Sequence, residues 1–323
     1  MLVSWDVLAI AVVVLVVGCI VALAAVVVIK GSRHARERRR TVHENAVRSR
    51  IMALAVAEDE ALDALVQELA STPGPLGDHV EQTLLRMIPE VRGDVREAMI
   101  SVLAARGLLR RSLQRISSRS AIQRAGAAEL LGVLGGSEVI RPLTAALRDK
   151  NLEVRLVAAR ALGVAARPEA GGHLVDALSL TSGIPHSVAA TALLNLPDQD
   201  PTVYIEGLRD RDAGIRYGSA AVVGMLLMSE AAEALFECLL AEGGRENASD
   251  VVVAACARSL GRLSYKPATS ELAEISCSSS ASSSVRQAAG EALRAMPGAE
   301  AREVRRHVME RADADVRRIL VDA

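Results

Sequence analysis

Aromatic residues are scarce in this chain of 323 residues, which has one Trp, one Phe and three Tyr. Proteins that hold single-stranded nucleic acid usually stack the bases on aromatic side chains, so this shortage argues against such a platform. An excess of charge of one sign is lacking too, because 38 Lys and Arg oppose 39 Asp and Glu. A DNA-binding surface needs a basic excess, and we therefore expect no nucleic-acid partner.

Motifs for metal binding and redox chemistry are also missing. The four cysteines, at positions 19, 238, 256 and 277, contain no CxxC pair, and the six histidines contain no HExxH sequence. No alternating strand pattern appears, so no P-loop, GxGxxG or GxSxG has the strand that these motifs must follow. We therefore expect no catalytic residue, no cofactor and no metal, and a non-enzymatic function.

Small aliphatic side chains are what the chain has in abundance, since half of its residues are apolar. The densest run, VLAIAVVVLVVGCIVALAAVVVI, occupies residues 7–29 without a charge. As a helix it would be about 34 Å long, enough to cross a hydrocarbon core of roughly 30 Å. We predict a transmembrane helix over 7–29, preceded by an extracytoplasmic stub of residues 1–6. Within the predicted span, Gly18 and Ala22 form a small-xxx-small pair that would let another membrane helix approach closely.

A cleavable signal peptide is the alternative interpretation of this run, because Ala22-Leu23-Ala24 resembles a cleavage site. Two features favour an anchor that stays attached. No Lys or Arg precedes the run, and its apolar character continues past Ala24 to Ile29.

A basic juxtamembrane segment follows the run, at residues 30–42. The positive-inside rule then places the N-terminus outside and the rest of the chain in the cytoplasm, as a single-pass protein of a bacterial inner membrane. The same segment offers contacts to anionic lipid headgroups, so a lipid-binding or nucleic-acid-binding module remains an alternative. The residues concerned are Arg33, Arg36, Arg38, Arg39 and Arg40.

A repeated helical motif fills the chain after residue 42. Examples are VRLVAARALG at Val154–Gly163, IRYGSAAVVG at Ile215–Gly224 and QRAGAAELLG at Gln123–Gly132. The second position of the motif falls at 96, 124, 155, 189, 216, 253, 286 and 317, at a mean spacing of about 32 residues. Each period holds two helices, so we predict an all-α solenoid of stacked helix pairs, HEAT-like or armadillo-type, over 43–323, with regular repeats from about 95.

An arginine recurs at this second position and has two interpretations. Each Arg can pair with an Asp between the helices of its own or the neighbouring repeat. Alternatively, the row of guanidinium groups binds an acidic partner or phosphates. Arg is replaced at Ala189 and Val253, and it is present at six positions: Arg96, Arg124, Arg155, Arg216, Arg286 and Arg317. Of these, the candidates for partner contact are Arg124, Arg155, Arg216 and Arg286.

The pattern resembles the HEAT-repeat superfamily, specifically the short-period, phycobilisome-lyase-like group. The resemblance covers about 95–323 well and 43–94 loosely. It implies a scaffold that holds proteins along a concave surface, although a minority of the superfamily are enzymes or lyase subunits. Enzymes resembling deoxyhypusine hydroxylase bind two iron ions through several His-Glu dipeptides, whereas this chain has one, His43-Glu44.

Together these features predict a membrane-anchored cytosolic scaffold that binds or regulates a protein partner. The partner is expected to be membrane-associated, and the resemblance points to an integral membrane enzyme such as a glycosyltransferase. Lipids contact the anchor. The alternatives are a HEAT-like lyase or enzyme subunit, and the lipid-binding or nucleic-acid-binding module described above.

Overall fold

The structure is a computed structural model that describes residues 49–54, 56–57, 59–245 and 248–321. In these ranges every regular element is a helix and none is a strand, which confirms the prediction of an all-α fold. None of these helices is both long enough and apolar enough to cross a membrane. The predicted anchor and its basic flank lie outside the described residues, together with Gly18, Ala22, Arg33, Arg36, Arg38, Arg39 and Arg40.

The chain divides into two compact units between Gly107 and Leu108. In the first unit, residues 49–53 are helical and three helices follow: α1 (Asp59–Ser71), α2 (Gly74–Met87) and α3 (Asp94–Ala105). The last carbonyl groups of a helix have no partner within it. Arg106 supplies one for α1, because its Nη1 donates to the carbonyl oxygens of Ala70 and Thr72 at 3.1 and 2.9 Å.

The second unit is a series of helix pairs. We call the first helix of each pair the A helix and the second the B helix. The A helices are α4 (Leu108–Arg115), α6 (Ile140–Ala146), α8 (Gly171–Asp176), α10 (Pro201–Leu208), α12 (Ala232–Glu242), α14 (Thr269–Cys277) and α16 (Ala299–Arg311). The B helices are α5 (Ala121–Leu134), α7 (Leu152–Ala165), α9 (His186–Leu194), α11 (Ala213–Leu226), α13 (Asp250–Arg262), α15 (Ser283–Ala295) and α17 (Ala314–Val321).

Successive B helices pack on one another from α5 to α17, and each carries one copy of the sequence motif. Small residues make this close packing possible. Ala158 and Ala159 of α7 are fully buried, and Gly163 lies against the backbone of Ala192 in the next B helix. One continuous apolar core runs from Ala128 to Leu320, so every pair buries the face that it could not bury alone.

The turns between A and B helices are ordered by short polar side chains. Asp212 caps α11, because its Oδ1 accepts a hydrogen bond from the Gly214 amide at 2.7 Å. At α7 the cap is Asn151, and the Asp149 carboxylate accepts from the Asn151 amide at 2.8 Å. Where the motif has an Arg, that residue lies in the first turn of its B helix, directly after the A–B turn.

Candidate functional site

Four motif arginines of the second unit are anchored in one way. The Nη1 of each donates to backbone carbonyl groups of the A–B turn that precedes its own helix, five or six residues earlier. The acceptors are Ser118 and Arg119 for Arg124, Asp149 for Arg155, Asp210 and Arg211 for Arg216, and Ala281 for Arg286. This shared anchor uses Nη1, so the Nε–Nη2 edge of each guanidinium remains to donate hydrogen bonds to another group.

In three of the four, that edge binds a carboxylate of the next repeat. Arg124 donates to Asp149 from Nε and Nη2 at 2.7 and 2.8 Å, and the side chains are 9% and 13% exposed. The hydrogen bond from Arg124 holds the pKa of the Asp149 carboxyl below its usual range. Arg286 donates from Nε to Asp313 at 2.8 Å.

The third pair, between Arg216 and Glu242, is the most deeply buried. Nε and Nη2 of Arg216 donate to the two carboxylate oxygens at 3.0 and 2.7 Å, and the side chains are 1% and 0% exposed. Arg245 lies 3.5 Å from the same carboxylate, which also accepts from the Ser249 amide at 3.0 Å. A guanidinium held in this way does not reach a partner's surface.

Arg155 keeps the anchor but lacks the carboxylate. The acceptor lies 25 residues after Arg124, 26 after Arg216 and 27 after Arg286. The same separations from Arg155 lead to Leu180, Thr181 and Ser182, none of which is acidic. The Nε of Arg155 is buried without a hydrogen-bond partner, and among the described residues Arg155 forms no ion pair. Its Nε–Nη2 edge is therefore vacant in one sense only: it has no acceptor within the chain, although the Nε itself is buried.

Two repeats lack the motif Arg, and in each case the next A–B turn does not contain an unsatisfied carboxylate. After Ala189, the next turn still carries Asp210 and Asp212, and these accept hydrogen bonds from backbone amides and from Ser179. After Val253, the corresponding turn is the serine-rich stretch 278–282, which has no carboxylate to neutralise. From α5 to α15, the described residues include four motif arginines. Of these four, Arg155 is the one without a carboxylate partner.

A surface pocket of about 750 Å³ lies beside this vacant edge. Its lining brings together Arg141, Arg148 and Arg155 of one repeat with the turn of the next repeat that carries Thr181. Two carboxylates also line it. Asp149 is engaged by Arg124, while Asp176 is exposed and forms no ion pair in the described ranges. Three guanidinium groups therefore face one uncommitted carboxylate, and the pocket attracts anions.

The hydroxyl groups of the pocket are already used. Ser182 donates to the Ala177 carbonyl at 2.8 Å and Thr144 to the Arg141 carbonyl at 3.0 Å, while Ser179 donates to Asp212. His173 also lines the pocket. Of the residues described, no group of three or more His, Cys, Asp or Glu side chains is placed to hold a metal ion. The arrangement is suited to binding an anion through guanidinium groups.

The repeat motif indicates Arg155 but not the residues around it. Arg141, Arg148 and His173 belong to no motif, and only the stacking of repeats brings them to one pocket. One signal was present in the sequence. Once the separations of 25 to 27 residues in the three intact pairs are applied to Arg155, the absence of a carboxylate at 180–182 distinguishes this repeat from those of Arg124, Arg216 and Arg286.

Part of the second unit is similar to a known family of repeats. Residues 109–196 match the family described as HEAT repeats. No curated protein sequence matches the chain. Among solved structures, YibA of Escherichia coli is similar at a TM-score of 0.41 and 16% identity, covering 82% of this chain and 97% of that one. Human deoxyhypusine hydroxylase, in complex with glycerol, is similar at a TM-score of 0.32 and 21% identity, covering 81% and 93%. The stretch similar to the HEAT-repeat family, residues 109–196, includes Arg124, Arg155 and nearly all of the pocket.

Proposed function

We propose that this protein is a non-catalytic HEAT-repeat scaffold that binds a protein partner at the cytoplasmic face of the inner membrane. The observation that carries the proposal is the open pocket beside Arg155. At this place a ladder of internal ion pairs is interrupted, and a positively charged recess faces solvent. Binding of an external group there completes an interaction that three other repeats make within the chain.

The remaining features support a tethered scaffold. Stacked helix pairs with one core hold the pocket on a rigid frame, which lowers the ordering cost of binding. An anchor over residues 7–29 would confine the scaffold to a thin layer and raise its effective concentration toward a membrane partner. An integral membrane enzyme is the partner class that we propose, with a glycosyltransferase as the first example to examine.

Site-specific photocrosslinking tests the partner. A photoreactive amino acid replaces Ala145, which is exposed on α6 and lines the pocket. The matched control replaces Ser270, which is exposed on α14 and outside the lining. We expect one membrane protein to be captured in cells from position 145 and not from position 270. Equal capture from both positions, or capture of lipid alone, would contradict the proposal.

Thiol labelling tests the topology, and the chain provides its own control. A membrane-impermeant maleimide added to intact spheroplasts should label a Ser4→Cys variant, because residue 4 is proposed to lie outside. Cys277 is partly exposed in the solenoid, whereas Cys238 and Cys256 are buried. We expect Cys277 to react only after the cells are lysed. Labelling of Cys277 in intact spheroplasts would show that the solenoid lies outside the cytoplasm, which would contradict the proposed topology.

A further inference from the structure

We infer that the pocket beside Arg155 takes a carboxylate side chain from an acidic peptide segment of the partner. That carboxylate occupies the place which Asp149, Glu242 and Asp313 fill for the other motif arginines. The inference rests on the proposed function, since it names what the partner presents to the pocket.

The chemistry of the site follows from the intact pairs. Arg124 and Arg216 each use Nε and Nη2 against the two oxygens of one carboxylate, at distances between 2.7 and 3.0 Å. Arg155 has the same anchor through Nη1, which donates to the Asp149 carbonyl at 2.8 Å. Its guanidinium is thus held in position before any ligand arrives, and a planar group with two oxygens matches the vacant edge.

The turn opposite Arg155 explains why no internal group takes this place. Nη2 lies so close to Gly183 that a Cβ on this glycine would be 2.8 Å away, so the guanidinium reaches the turn as its counterparts do. The residues of this turn, Leu180, Thr181, Ser182 and Gly183, carry no negative charge. Asp176 ends the preceding helix and lines the pocket, but no ion pair joins it to Arg155.

A peptide carboxylate fits better than a phosphate group. A phosphate needs donors for three oxygens, usually from hydroxyl groups, backbone amides or several cations at short range. Here the hydroxyls of Thr144, Ser179 and Ser182 already donate to acceptors of the protein. Arg141 and Arg148 are exposed and line the same recess, where they would attract acidic residues that flank the bound one.

The test uses the full-length protein in mild detergent and a fluorescent hexaglutamate peptide, with hexaglutamine as the neutral probe. We expect hexaglutamate alone to bind, as measured by anisotropy at fixed salt. Arg155→Gln should weaken binding at least tenfold. Arg160→Gln, a change of an exposed arginine on the same helix outside the lining, should leave binding within about twofold and controls for net charge.

A second variant introduces a carboxylate in the protein's own turn opposite Arg155. Thr181→Asp places an acid at the position expected from the intact pairs, on an exposed turn where the change does not disturb the core. The new carboxylate should pair with Arg155, weaken hexaglutamate binding at least tenfold and raise the melting temperature. The side chain of Thr181→Asn has the shape of aspartate without its charge. This variant should neither weaken hexaglutamate binding nor raise the melting temperature.

Three results would overturn the inference: no binding of hexaglutamate to the wild-type protein, unchanged binding in both Arg155→Gln and Thr181→Asp, or competition by inorganic phosphate at concentrations where acetate has no effect. The proposed function is tested separately by the crosslink from position 145. If a partner is still captured from there by the Thr181→Asp variant, the scaffold role stands and the carboxylate assignment fails.

Discussion

Replacing Glu242 by Ala is expected to lower the free energy of unfolding by about 3–5 kcal/mol. Glu242 is 0% exposed and accepts from Nε and Nη2 of Arg216, which is itself 1% exposed. The substitution leaves the Arg216 charge buried among apolar helices without a counter-ion, and it also removes the acceptor of the Ser249 amide. Urea unfolding of the full-length protein, followed by circular dichroism, measures the change.

A matched control lies on the same helix. Glu237 of α12 pairs with Arg209 at 3.1 Å, but these side chains are 57% and 63% exposed. Exposed pairs contribute little, so Glu237→Ala should change the unfolding free energy by less than about 1 kcal/mol. Equal effects of the two substitutions would show that Glu242 is not buried as described.

A double replacement separates the cost of an unpaired charge from the value of the pair. Arg216→Met combined with Glu242→Leu removes both charges and fills much of the space with apolar atoms. We expect this variant to recover most of the stability that Glu242→Ala loses, because a buried ion pair often gains little over well-packed apolar groups. If the double variant is as unstable as the single one, the hydrogen bonds from Arg216 to the turn carbonyls would be the dominant contribution.

Local sequence was sufficient to predict the B helices and their period. The pattern of apolar, Arg and small residues at Val154–Gly163 and Ile215–Gly224 depends on one helix contacting the next, and this recurs in every repeat. Asp212 stands directly before the motif of α11, where a short polar residue favours a helix cap, and it caps α11. For α7 the cap is Asn151, while Asp149 is drawn to Arg124.

The partners of the arginines were harder to predict, because they depend on packing between repeats. Glu242 ends an A helix, separated from the next B helix by residues 243–249, so no local pattern marks it as the partner of Arg216. The motif treats Arg124, Arg155 and Arg216 alike, and the separation of 25 to 27 residues that distinguishes Arg155 became known only from the stacked repeats. Pocket residues such as Arg141 follow no periodic rule, since a recess on a solenoid depends on side chains from several turns.

Replacing Gly261 by Ala is expected to destabilise the protein by about 1–3 kcal/mol, although the same change in an exposed helix normally stabilises it. Gly261 is buried at the end of the motif on α13. A Cβ built there would lie 2.5 Å from Cα and 2.9 Å from the carbonyl oxygen of Ala292 on α15. Because these are backbone atoms, a change of side-chain rotamer cannot relieve the overlap, and the two helices must move apart.

The control for Gly261→Ala is Gly126→Ala, at an exposed position of α5 where a Cβ would have no atom within 4 Å. This substitution should stabilise the protein by about 0.5–1 kcal/mol, since alanine loses less backbone entropy than glycine on folding. The two substitutions add the same methyl group to the same type of helix, so their difference reports the separation between stacked B helices. Stabilisation by both would mean that α13 and α15 are further apart than described. Opposite signs would show that the motif glycine is required for the repeats to pack at this distance.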